Sequence, residues 1–128
     1  MFTLNNKINV LIFALQQMGW ALLTPERQRP ILYEILERLH IMLVSSDEQV
    51  AEEKWQRSET TPDEYHISIL SKFKLIDVDS GEEFSDEPVR GYGNSKFTNS
   101  EEDTMIAARL KASNLAELRF IANLLQNK

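Results

Sequence analysis

A chain of 128 residues, 42% hydrophobic and 27% charged, holds enough apolar material for one core, so a single domain over 1–128 is expected. It has no cysteine, which excludes a disulfide framework, thiolate chemistry and cysteine-ligated metal, and fits a reducing compartment such as the cytoplasm. Twenty acids against fourteen bases give a net charge of −6, which excludes a generally basic nucleic-acid surface and confines any phosphate recognition to a local patch.

Leu4, Ile8, Leu11, Ile12 and Leu15 recur at helical spacing and predict a helix over 3–18. Val10, Phe13 and Ala14 widen its apolar stripe until it runs nearly all round, which suits either a buried core helix or one packed on a second copy in a homo-oligomer. The apolar run 8–14 is too short to span a bilayer, and with only Lys7 before it makes a poor signal peptide. The expectation is a soluble cytoplasmic protein with no membrane partner. Gly19 is the expected stop.

Thr24, Pro25 and Glu26 form a helix-start signature. Pro30 then predicts a short turn at 25–29 and a main helix from about residue 30, buried through Leu32, Ile35, Leu36, Leu39 and Leu43. Residues 40–44 suit helix or strand equally. From 46 to 61 the chain is polar and acidic, and Ser46 with Gln49 matches a capping box for a short helix ending near Trp55. Residues 47–64 carry seven acids against two bases. They read as a solvated face or, more sharply, as a docking surface for a basic protein partner through Glu48, Glu52 and Glu53.

From Tyr65 the period changes. Tyr65, Ile67, Ile69, Phe73 and Leu75 alternate with His66, Ser68, Lys72 and Lys74, predicting a half-buried strand over 65–78. A rival helical reading starts at Thr61 and Pro62 and uses Tyr65, Ile69, Phe73 and Ile76, which leaves an all-α alternative. Asp79, Ser80 and Gly81 supply turn chemistry, and 82–89 is the expected return strand, an edge interrupted by Pro88. Residues 88–97 then read as a glycine-hinged loop. Ser100 before Glu101, Glu102 and Asp103 predicts a capped C-terminal helix. Its apolar phase slips near Ser113 and Asn114, which predicts a kink or a split.

Little catalytic chemistry is visible. Asp77, Asp79, Gly81 and Glu83 miss the calcium-loop pattern at three required places, so a hairpin turn is the better account. His40 and His66 lack a spacing that would pair them on zinc. No nucleophile elbow, phosphate loop or dinucleotide fingerprint is present, and the chain reads as a non-enzyme without metal or cofactor. A helix-turn-helix over 101–126 is disfavoured by Lys111 at a core position. The remaining candidate is the stretch with Arg90, Gly91, Tyr92, Gly93, Lys96 and Phe97. Rings that stack on bases and cations that follow phosphates hold single strands. The plain alternative is a glycine turn whose aromatics fold back onto the core.

Residues 72–83, a strand closing in an acid-Ser-Gly-Glu turn, precede Gly91, Tyr92 and Gly93 and then a capped helix with Ala107, Ala108 and Ala112. This order resembles the core of the ERF-type phage recombination proteins, over about residues 65–124. The resemblance implies an α+β fold and an oligomer that anneals complementary single strands. Of that family's binding residues, only the glycines and Arg90 and Lys96 carry over. The helix start Glu101, Glu102 and Asp103 departs from the family's lysine- and aromatic-rich start.

The expected fold is α+β: N-terminal helices, a small antiparallel hairpin or sheet, and a C-terminal helix. The expected function is non-catalytic binding of single-stranded DNA by a phage-type recombination protein. The alternative is a small acidic interaction protein that inhibits or regulates a basic nucleic-acid-handling partner.

Overall fold

Strand β2 (Glu64–Asp77) runs through the middle of a four-stranded antiparallel sheet in the computed structural model, which describes residues 2–60 and 62–126. Along one edge it pairs with β1 (Ile41–Gln56), from Ile41 opposite Asp77 to Gln56 opposite Glu64. Its other edge is shared by β3 (Glu83–Ser85) and β4 (Val89–Lys96). The odd-numbered residues of β2, from Tyr65 through Ile69 and Phe73 to Asp77, are all buried. That period of two decides for strand over helix and removes the all-α alternative. Thr61, part of the rival helix start, lies outside the described residues; Asp63 leads directly into the strand.

Three helices cover this buried face. Helix α1 (Leu4–Gln17) is capped by Thr3, whose Oγ1 accepts from the Asn6 amide at 3.2 Å, and the chain leaves it through Gly19 at φ 65°. A single turn of 3₁₀ helix (Trp20–Leu22) leads into α2 (Pro25–Arg38). Helix α2 corrects the sequence expectation, because it is continuous through Pro30. A proline this near the start forfeits one backbone bond. The first turns are also held from outside: Trp20 Nε1 donates to the Gln28 carbonyl and Gln28 Nε2 donates to the Trp20 carbonyl, both at 2.9 Å.

Strand β1 is a second correction, since the short helix expected up to Trp55 is absent and 41–56 is strand throughout. A capping box satisfies two amides, whereas β1 bonds along the whole length of β2. Two register shifts, between Ser45 and Asp47 and between Val50 and Glu52, bend this edge. Bulges and acids are the usual means of keeping a long edge strand from pairing with other chains. The acid run is therefore mostly a solvated edge.

A third correction concerns the expected loop 88–97, of which Val89–Lys96 is a strand. Gly81 closes the β2–β3 turn with its amide on the Asp77 carbonyl at 2.7 Å, and the return strand expected over 82–89 is shorter, ending at Ser85 before Pro88 is reached. The strand then resumes as β4.

Helix α3 (Glu101–Gln126) is unbroken, with Asp103 N donating to Ser100 Oγ at 3.0 Å; it is not split and makes no helix-turn-helix. Every fourth residue from Thr104 is buried: Ala108, Ala112, Ala116, Phe120, Leu124. Such a stripe rotates about 40° per step around a helix of 3.6 residues per turn, as a contact line on a twisted sheet must. The apparent slip in phase arises because Ile106 and Leu110, which set the first stripe in the sequence, are exposed. The described apolar residues form one core, in which Phe73 and Phe120 stack with centroids 5.6 Å apart.

Candidate nucleic-acid interface

The helices cover one face of the sheet and leave the other open. On β4, Val89, Gly91 and Gly93 point under α3, while Arg90, Tyr92, Asn94 and Lys96 alternate onto the open face. Tyr92 is 57% exposed there, and Phe97, one residue past the strand, is also exposed. The feared collapse of the Tyr92 ring onto the core does not occur. The two glycines serve a different purpose from the one expected. A Cβ at Gly91 would lie 2.0 Å from the Ala112 carbonyl oxygen, and one at Gly93 2.0 Å from that of Ala108. They let α3 approach the strand, and Gly93 also lines the depression on the open side.

The register extends this face across three strands. Lys72, Lys74 and Lys54 join Arg90 and Lys96, against Asp47, Glu52, Glu64 and Glu83. With five cations to four acids, the face is slightly positive on a chain of net charge −6. Two further cations line the outer edge of β4: Lys111 Nζ donates to the Asn94 carbonyl and Arg119 Nη1 to the Arg90 carbonyl, each at 3.4 Å. Sequence reasoning placed Lys72 and Lys74 on the outward side of β2 but did not connect them to Arg90. Only the cross-strand register does so.

Two rows, Glu52–Ser68–Tyr92 and Lys54–His66–Asn94, line a depression of about 650 Å³ on this face, with Leu115 of α3 also on its wall. Arg90 Nη1 donates to Ser68 Oγ at 3.1 Å and Asn94 Nδ2 to Glu64 Oε1 at 2.5 Å. His66 Nε2 is 3.4 Å from Glu64 Oε1 but lacks hydrogen-bond geometry, and among the described residues it is buried without a hydrogen-bond partner. The depression thus offers the Tyr92 ring and the Asn94 amide between flanking charges, while the Ser68 hydroxyl is buried and bonded to Arg90.

The acids proposed for a basic partner do not form one surface. Glu48 and Glu53 sit on the helix side of β1, opposite Ser71 and Ile67, and Glu52 sits on the open side, opposite Ser68. Glu48 is already used: Oε1 accepts from Arg109 Nη2 at 2.8 Å and Oε2 from Ser113 Oγ at 3.0 Å. Glu53 accepts from the Tyr65 hydroxyl. Burial and that bond push the Tyr65 phenol up to about 12.

Among the described residues, no group of three or more histidine or carboxylate side chains could hold a metal ion, and no helix is long and apolar enough to cross a membrane. A scan against protein-family models and a search of curated proteins each find no match for this chain.

Proposed function

We propose that the chain is a non-catalytic single-stranded nucleic-acid-binding protein that lays the strand across the open face of β2 and β4. The observation that carries this reading is the alternation of Arg90, Tyr92, Asn94 and Lys96 on one bare sheet face, with the Tyr92 ring exposed. Bases stack on such a ring at about 1–3 kcal/mol each, whatever their identity. Arg90 and Lys96 flank it on the same strand, and Lys72, Lys74, Lys111 and Arg119 lie within reach of the phosphates on either side. A duplex hides its base faces and presents two lines of phosphate to acids such as Glu52 and Glu64, so it is the poorer ligand. The resemblance of residues 65–124 to single-strand annealing proteins of the ERF type points the same way.

The test is fluorescence anisotropy of labelled oligo-dT and of a matched duplex at low salt. The single strand binds more tightly than the duplex, and Tyr92→Leu weakens it by a factor matching about 1–3 kcal/mol. Equal binding of both forms, or none, contradicts the reading.

A further inference from the structure

Helix α1 turns a face to solvent that carries no charge at all. At 3.6 residues per turn Asn6, Val10, Phe13 and Gln17 fall within about 60° of one another, and all four are exposed. Phe13 is 64% exposed, and beyond the helix Met18 and Leu22 extend the same segment outward, Leu22 at 92%. Between residues 2 and 25 the only charged side chain is Lys7. That lysine, on the flank of the helix, is buried against Asp77 and Asp79 and so leaves this surface uncharged.

In a chain with twenty acids and fourteen bases, so long a neutral stretch limits what can cover it. A basic or acidic partner finds no complementary charge here. An anionic membrane or nucleic acid finds no cation. Two copies of this chain, each at −6, repel at most contacts, but not where both present a neutral face. Exposed phenylalanine, valine, methionine and leucine rimmed by amides match the composition of a homodimer interface, whose centre is depleted of charge.

We infer that the outer face of α1, with Met18 and Leu22, is the contact of a two-fold dimer of this chain, with Phe13 at its centre. In a two-fold contact the same patch appears on both partners, so a residue near the axis meets its own copy. This inference is independent of the nucleic-acid reading, because α1 covers the face of the sheet opposite to the proposed binding surface.

Sedimentation velocity over a concentration series tests it, using the full chain. The wild type passes from monomer to dimer as concentration rises, and added salt does not weaken the dimer. Phe13→Glu and Phe13→Lys each raise the dimer dissociation constant more than about tenfold, as loss of an interface anchor does. An equimolar mixture of the two variants regains the dimer, because the new charges then face each other. Circular dichroism matching the wild type confirms that these exposed substitutions leave the fold intact. A wild type that stays monomeric throughout, or variants that dimerise like it, overturns the inference. Failure of the mixture to recover overturns the two-fold arrangement.

Discussion

Gly93 lies so close to Ala108 that a Cβ added to the glycine would stand 2.0 Å from the alanine's carbonyl oxygen. Backbone meets backbone at this point, and the same holds one pair further on, between Gly91 and Ala112. Small residues on both sides bring α3 down onto β4, which turns Tyr92 and its neighbours to the opposite face. Neither glycine can take a methyl group without moving the helix. Gly93→Ala should therefore destabilise the fold by about 3 kcal/mol, at the upper end of typical overpacking costs. Chemical denaturation measures this. A variant within about 0.5 kcal/mol of wild type, the usual range for surface changes, would show that α3 does not pack this tightly.

Lys7 ties α1 to the β2–β3 turn, with Nζ 2.8 Å from Asp77 Oδ1 and 3.0 Å from Asp79 Oδ2. The hydrogen bond from Lys7 is the main cause holding the Asp77 carboxyl below its usual range, and the Asp77 bond holds Lys7 above its ordinary value of 10.5. A lowered acid stabilises above its ordinary pKa and loses that contribution as pH falls through the folded value. A raised lysine stabilises below 10.5 and loses its contribution as pH climbs past the folded value. Stability should accordingly sag at both extremes. Asp77→Asn should lower the melting temperature most near neutral pH, where both charges exist, and flatten the acid limb. Parallel acid limbs in the two proteins would rule out this linkage.

Tyr33 and Tyr65 are both pushed up to about 12, first by burial and then by hydrogen bonds to Glu117 and Glu53. The unfolded chain ionises its tyrosines near 10, so folding stability should fall between about pH 10 and 12 as the unfolded state loses protons first. Absorbance titration near 295 nm should show a transition around 12 that Tyr65→Phe reduces. If that variant leaves the high-pH transition unchanged, the Tyr65–Glu53 contact is not maintained in solution.

His40 joins α2 to β1 with φ at 56°, a conformation that costs a residue with a Cβ about 1–2 kcal/mol. Its contact with Asp79 at 3.3 Å is solvent-exposed and worth little. His40→Gly should thus gain about 1 kcal/mol by supplying the residue this helix end prefers. A loss on denaturation would mean that the imidazole contributes more than its exposure suggests.

The elements that could be read from sequence are those whose own residues carry the signal. Strand β2 announces itself because one face is core and the other is not, and α1 because Leu4 to Leu15 keep one phase. Ser100 and Gly19 mark ends by local chemistry. The misread elements owe their state to neighbours. Strand β1 is an edge whose acidic middle, from Asp47 to Glu53, is mostly exposed and shows no apolar alternation of its own, so its pairing with β2 is what makes it a strand. The glycines of β4 argue against a strand until α3 is seen to require them. Ile106 and Leu110 suggest a buried stripe on α3, yet both are exposed, and the real contact is made by alanines. Arg90, Tyr92 and Lys96 share one face because they alternate along a strand, which their reading as a loop did not show, and the surrounding lysines join them only through the register.

The most direct test of the open-face reading is the salt dependence of single-strand binding. Each lysine or arginine that neutralises a phosphate contributes about 0.7 to the slope of log affinity against log salt. Wild type should bind oligo-dT with a measurable negative slope, and the double variant Arg90→Ala with Lys96→Ala should bind more weakly with a slope shallower by about 1.4. Affinity and slope unchanged in the double variant would contradict the placement of nucleic acid on this face.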